Sequence, residues 1–157
     1  MKFFILTAAI LILTVAYISA VSAYGYEYGS IKIFGKKTYK AGVLIANSTK
    51  EQDLGLMFVK RLSLNKGLLM IFHFTSTMPA IWMKNMFISL DAIFINGDKV
   101  VQLYKNIPPC RTKVCKIYFA DKSFNRILEV NSGIISRYGI KAGDKIAITV
   151  NKKNTVN

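Results

Sequence analysis

The sequence is poor in acid: eight Asp and Glu stand against 22 Lys and Arg, for a formal net charge of +14. It also holds only one histidine, one tryptophan, three prolines and two cysteines. One histidine excludes a His-x-x-x-His pair. His73, set within Ile71-Phe72-His73-Phe74, offers no Ser-His-Asp order either. Gly-x-Ser-x-Gly, a phosphate loop and a dinucleotide fingerprint are all absent. Two thiols are too few for a Cys-rich zinc site. These absences weigh against an enzyme without excluding one, and they assign no catalytic residue, no metal and no cofactor.

What is present begins with a delivery signal. Lys2 is the only charge before an apolar run from Phe3 to Ile18, and the small residues Ser19, Ala20, Val21, Ser22 and Ala23 follow. A positive start, an apolar middle and an A-x-A-like end describe a secretory signal peptide over 1–23, cut after Ala23 or Ala20. The rival is an uncleaved anchor, since Phe3 to Ala23 is just long enough to span a bilayer. No basic residues follow directly, which favours cleavage. No later segment is apolar enough to span, so the mature chain is expected to be exported with no membrane span of its own.

In an oxidising compartment Cys110 and Cys115 read as a disulfide. Closing so short a loop stabilises by roughly 2 kcal/mol, which shapes a loop more than it holds a fold. The positive charge favours anionic partners, outside the cell an envelope polymer or lipid headgroups, and nucleic acid is not expected there. Plain solubility explains the same charge. The oligomeric state is not legible.

The remaining chain reads as one domain. Residues 24–40 form a lead-in and first strand, 41–150 a β domain, and 151–157 a polar tail. Ser30 to Phe34 and Ala41 to Ala46 read as strands. Ser48 and Glu51 have the spacing of a capping box, and Leu54, Met57 and Phe58 follow at helical period. Strands resume at Leu68 to Phe74, break at Met78-Pro79, and continue at Ile81-Trp82-Met83. Asn96-Gly97 predicts a hairpin between Asp91–Ile95 and Lys99–Tyr104. Arg126 to Val130 reads as a strand, Ile134 to Tyr138 as a helical turn ended by Gly139, and Lys145 to Val150 as the last strand. So many short strands with so little helix predict a mainly β fold, a single antiparallel β-sandwich or jelly-roll-like barrel with one or two short helices.

One ordered series of blocks goes further. Ala46-Asn47-Ser48 with Glu51, Gly55-Leu56-Met57, Gly67 to Phe72, Trp82-Met83-Lys84-Asn85 and Ile88-Ser89-Leu90-Asp91 lead to Pro108-Pro109-Cys110 and Cys115. Leu128-Glu129-Val130-Asn131-Ser132-Gly133 and Gly143-Asp144 complete it. From about Val43 to Ile148 this closely resembles the "domain of unknown function 192" family. The resemblance implies a jelly-roll-like β-sandwich with a short helix near its start, carried behind a signal or lipoprotein leader, and it supplies no reaction. The chain departs from the family's usual Arg at Gln52, Phe at Ile81, Thr at Met86 and Pro at Ser89.

The candidate binding residues are Trp82, Lys84, Asn85, Asp91, Glu129 and Asn131, polar or flat groups set among apolar strands. On one reading they hold an anionic or carbohydrate ligand in a non-catalytic envelope protein. On another, Asp91 and Glu129 are the acid and base of an envelope polysaccharide hydrolase, which needs them close together across a cleft. On a third they form a structural network, with the carboxylates paired to Lys84 or Arg126. A copper-binding protein built on Met57, Met70, Met78, Met83 and Met86 with His73 and the cysteines is also conceivable, although Met commonly fills cores.

Overall fold

The computed structural model describes residues 27–76 and 81–151. The expected signal peptide, Tyr24 to Tyr26, Met78-Pro79 and the tail beyond Asn151 lie outside the described residues. Nine strands order as β1 (Glu27–Phe34), β2 (Thr38–Ala46), β3 (Lys66–Ser76), β4 (Ile81–Trp82), β5 (Leu90–Asn96), β6 (Lys99–Ile107), β7 (Ile117–Tyr118), β8 (Phe124–Asn131) and β9 (Ile146–Asn151). Two short helices interrupt them, α1 (Thr49–Leu54) and α2 (Ile134–Tyr138).

Seven strands make one sheet in the order β6-β5-β8-β3-β2-β1-β9, and β4 pairs with β7 in a second, two-stranded sheet. Every pair in the large sheet is antiparallel except β2 with β3, which run parallel. Parallel neighbours need a crossover. Here the crossover is α1 and the turns after it. The sheet curls until its two edges touch at one end. Lys99 bridges Lys145, Val100 N donates to Asp144 O at 2.9 Å, and Ile146 N donates to Asp98 O at 2.8 Å. The roll is not closed along its length.

Alternation along the strands gives each face its own core. The inner face collects Ile31, Ile33, Tyr39, Val43, Leu69 and Ile93 with others, and α2 plugs it with Ile134 and Ile135. The outer face carries Leu68, Met70, Ala92, Phe94, Phe124 and Ile127, roofed by Leu56 and the segment Ile81–Met86. Burying each large side chain is worth about 1.5–3 kcal/mol, so both clusters support the fold.

The mainly β body with two short helices is as the sequence predicts. The hairpin forms with Asn96 paired to Lys99, which puts the turn on Gly97 and Asp98, one position later than expected, with Gly97 at φ 58°. Among the described residues no helix is long and apolar enough to cross a membrane.

Candidate functional site

The outer face is not fully roofed, and the gap is a cleft. Its position follows from how α1 begins and ends. Ser48 caps the helix: its Oγ accepts from Glu51 N at 3.3 Å, and Glu51 Oε2 accepts from Ser48 N and Asn47 N at 2.9 Å. The helix stops after six residues at Gly55, whose φ of 51° and ψ of −130° suit glycine alone. A Cβ there would lie 3.4 Å from Met70 Cε and 3.8 Å from Glu129 Oε2. Gly55 therefore lets the chain turn back directly over β3 and β8.

The returning chain is clipped to the turn after β4. Phe58 N donates to Asn85 O at 3.0 Å, Asn85 Nδ2 lies 3.7 Å from Met57 Sδ, and the rings of Phe58 and Phe87 meet edge-on at 6.3 Å. Asn85 holds φ 58°, a conformation Asn tolerates better than most residues. From α1, Gln52 Nε2 reaches across to Ile71 O at 2.8 Å and Ala46 O at 3.4 Å. Ile71 sits where the β3–β8 register breaks, so Gln52 serves a carbonyl at the irregularity.

Between these clips lies a cleft of about 280 Å³, with Trp82 as a wall and Glu129 within its lining. Met70, Phe72, Met86 and Ile127 make its apolar part, and Gln52 and Asp53 its polar edge. Trp82 remains 45% exposed, and Lys84 Nζ lies 5.0 Å from the centroid of its ring. Glu129 is buried, and its Oε2 has no hydrogen-bond partner among the described residues. Burial alone pushes its carboxyl up to about 7 from its ordinary 4.5. A buried polar atom without a partner is uncommon and calls for a reason. Gly67 on β3 brings the strand close, since a Cβ there would meet Glu129 O at 2.6 Å.

The six residues proposed from sequence do not all converge. Trp82 and Glu129 line the cleft, and Lys84 rests on the Trp82 ring at its rim. Asn85 is a clip between loops. Asn131 donates to Leu62 O at 2.6 Å and ties down the loop before β3. Asp91 is on the wrong side of the sheet. Glu129 pairs with Ala92, so Asp91, one residue earlier, points to the opposite face. It is wholly buried there, accepting from Asn106 N and Ile135 N, both at 2.8 Å. The paired-carboxylate hydrolase is therefore corrected, because the sheet separates its two members. The expected ion pairs to Lys84 or Arg126 are corrected too: neither carboxylate has one among the described residues, and Arg126 Nη1 instead donates to Gly97 O at 3.0 Å.

The copper reading loses its ligands. Cys110 and Cys115 are joined in a disulfide, Met70, Met83 and Met86 are buried in the outer core, His73 is exposed on β3, and Met78 lies outside the described residues. Among the described residues no three His, Cys, Asp or Glu gather as a metal site. The disulfide loop packs beside the cleft instead: Cys110 N donates to Met83 O at 3.0 Å, and β7 pairs Ile117 with Trp82. Sequence reasoning passed over Gln52 and Gly55 as site residues and named Met70 only as a copper ligand. The capping box fixed the start of α1, and nothing local announced where its far end would rest.

Residues 31–148 match the family DUF192, described as an uncharacterized ACR. The chain belongs to this family. Its match begins in β1 and ends in β9, so it takes in both faces of the sheet and the whole cleft. Solved structures of similar fold include a protein from Sinorhizobium meliloti 1021 named as a candidate transcription regulator, at 24% identity and TM-score 0.71, covering 78% of this chain and 94% of that one. Another is a protein of unknown function from Novosphingobium aromaticivorans DSM 12444, at 29% identity and TM-score 0.69, covering 75% and 83%. No curated protein matches the chain.

Proposed function

We propose that this member of the family is an exported, non-catalytic binding domain that holds a carbohydrate of the cell envelope between Trp82 and Glu129. The observation that carries the reading is Glu129: it is buried, its Oε2 has no partner among the described residues, and the residue lines an open cleft. Such an atom is costly in the apoprotein, by about 1–3 kcal/mol, and gains its missing bond from a ligand hydroxyl or amide. Trp82 adds a flat, half-exposed face against which a sugar ring lies. A volume of 280 Å³ is near the low end for small-molecule sites and admits a single sugar residue of a longer chain.

A bare anion is a poor occupant, since Glu129 and Asp53 both line the cleft. The anionic side of the expectation belongs to the surface: Lys84 at the rim and the net charge of +14 favour a polymer with negative groups outside the sugar being held. The disulfide and the apolar N-terminal segment support an extracytoplasmic location.

Trp82 is the only tryptophan, so its emission reports the site. Titration with soluble envelope polysaccharide is expected to shift it, and Glu129→Ala and Lys84→Ala are expected to stay folded and weaken binding. Polysaccharide that neither changes Trp82 emission nor retains the protein on a column removes the reading. The mass of the protein recovered from the cell envelope tests export, with loss of residues 1–23 expected.

A further inference from the structure

The chemistry of the cleft narrows the carbohydrate. We propose that the cleft recognises an acetamido sugar, its N-acetyl carbonyl paired with the carboxyl of Glu129 and its methyl seated on Met70, Phe72 and Ile127. This rests on the carbohydrate reading above and asks which sugar.

A plain hydroxyl needs only an acceptor, and an ionised carboxylate serves it best. Glu129 lies in a setting that favours the opposite state. Leu68 and Ala92 flank it in the sheet, and Met70, Phe72, Ile81, Met86 and Ile127 line the same cleft. β3, β5 and the β4 segment bring no charge into the cleft lining. α1 brings neutral Gln52, Asp53 at the exposed edge, and Glu51, which is turned to the helix cap. Lys84 sits on the Trp82 ring and does not line the cleft. With no cation to hold it ionised, Glu129 is half protonated near neutral pH.

A protonated carboxyl has a donor and an acceptor side by side. Its donor suits the carbonyl of an acetamido group, whose trans amide turns its N–H to the other side. The acetamido group also carries a methyl, which suits the apolar side chains around Glu129. An ammonium sugar would instead want the carboxylate, and a sugar with hydroxyls alone would leave the apolar part of the cleft against water. A peptide amide satisfies Glu129 equally but gives Trp82 no sugar face to cover.

The test titrates the full chain with tetrasaccharides of N-acetylglucosamine, glucosamine and glucose, following Trp82 emission and calorimetric heat. The acetylated sugar is expected to bind about tenfold or more tightly than the other two. Its affinity should fall by up to about thirtyfold between roughly pH 5.5 and 8.5, as the neutral fraction of Glu129 is lost. Glu129→Gln, which keeps a donor and an acceptor, is expected to bind at all these pH values alike, and Glu129→Ala to bind weakly throughout. Equal affinity for all three sugars, or unchanged affinity across pH, overturns the acetamido assignment while leaving the carbohydrate reading intact. Tighter binding of glucosamine, or equal binding of N-acetylalanine methylamide, overturns it in favour of an ammonium or a peptide. Binding of none of them, with envelope polysaccharide also inert, removes both readings together.

Discussion

The inner and outer faces of the sheet each bury one carboxylate, and the two are handled in opposite ways. On the inner face Asp91 accepts two backbone N–H groups. One belongs to Ile135 in the first turn of α2, a helix whose N-cap is Gly133 and has no side chain to offer. Asp91 thus caps a helix 44 residues away, and fixes Asn106 at its unusual φ of 52°. On the outer face Glu129 has no such partner on Oε2 among the described residues, and it is one of the residues that line a cleft. Burial by itself therefore does not mark a functional carboxylate. Burial without a partner, beside a cleft, is what the binding proposal rests on.

The largest effect is expected from breaking the satisfied side. Asp91→Ala leaves two buried N–H groups without an acceptor, each worth about 1–3 kcal/mol, so a loss of about 3–5 kcal/mol is expected. Urea unfolding should show a lower midpoint with an unchanged slope. A loss below about 1 kcal/mol would mean that α2 does not depend on Asp91.

The unsatisfied side should respond with the opposite sign. The folded Glu129 carboxyl titrates at about 7, above its ordinary 4.5, so between these values the folded protein holds the proton more tightly than the unfolded chain. Stability is then greatest below about pH 4.5 and is lost as pH rises through about 7, by about 3 kcal/mol from this group. Glu129→Gln should remove that slope, leaving stability near pH 4 little changed and raising it by up to the same amount near pH 8. Parallel thermal or urea unfolding of the two proteins across this range checks it. Identical pH profiles would mean that Glu129 is ionised and satisfied in solution.

The contrast between the two carboxylates was only half legible in the sequence. Features settled by neighbours along the chain came through: the capping box at Ser48 and Glu51, the Gly139 stop after α2, and the alternating strands. Whether Asp91 and Glu129 share a face depends on register, and a one-residue shift reverses the answer. No local pattern encodes that Ala92, and not Asp91, stands opposite Glu129. The parallel pairing of β2 and β3 was hidden for the same reason. β7 was missed because two residues between a disulfide loop and Ala120 carry no period to read. Trp82, which lines the cleft, was legible as a candidate because its chemistry is unusual wherever it lands. Gln52 was not, since its role depends on where α1 comes to rest.

The smallest effect expected concerns the disulfide, and it tests how independent the two faces are. Cys110 and Cys115 enclose only the Arg111–Val114 turn, in which Val114 is 84% exposed. By chain entropy the crosslink contributes roughly 2 kcal/mol, an upper figure because the loop also keeps the Cys110 N to Met83 O bond and the β4–β7 pairing. The double variant Cys110→Ala, Cys115→Ala should therefore fold and lose about 2 kcal/mol or less. Its hydrogen exchange should quicken at Ile117, Tyr118 and Trp82, beside the cleft, and stay unchanged at Ile135 and Val130 on the inner face. Equal loss of protection on both faces would show that the disulfide loop supports the entire sheet. The cleft would then be no separable, loosely held region, and Glu129 would owe its missing partner to the rigidity of the whole roll.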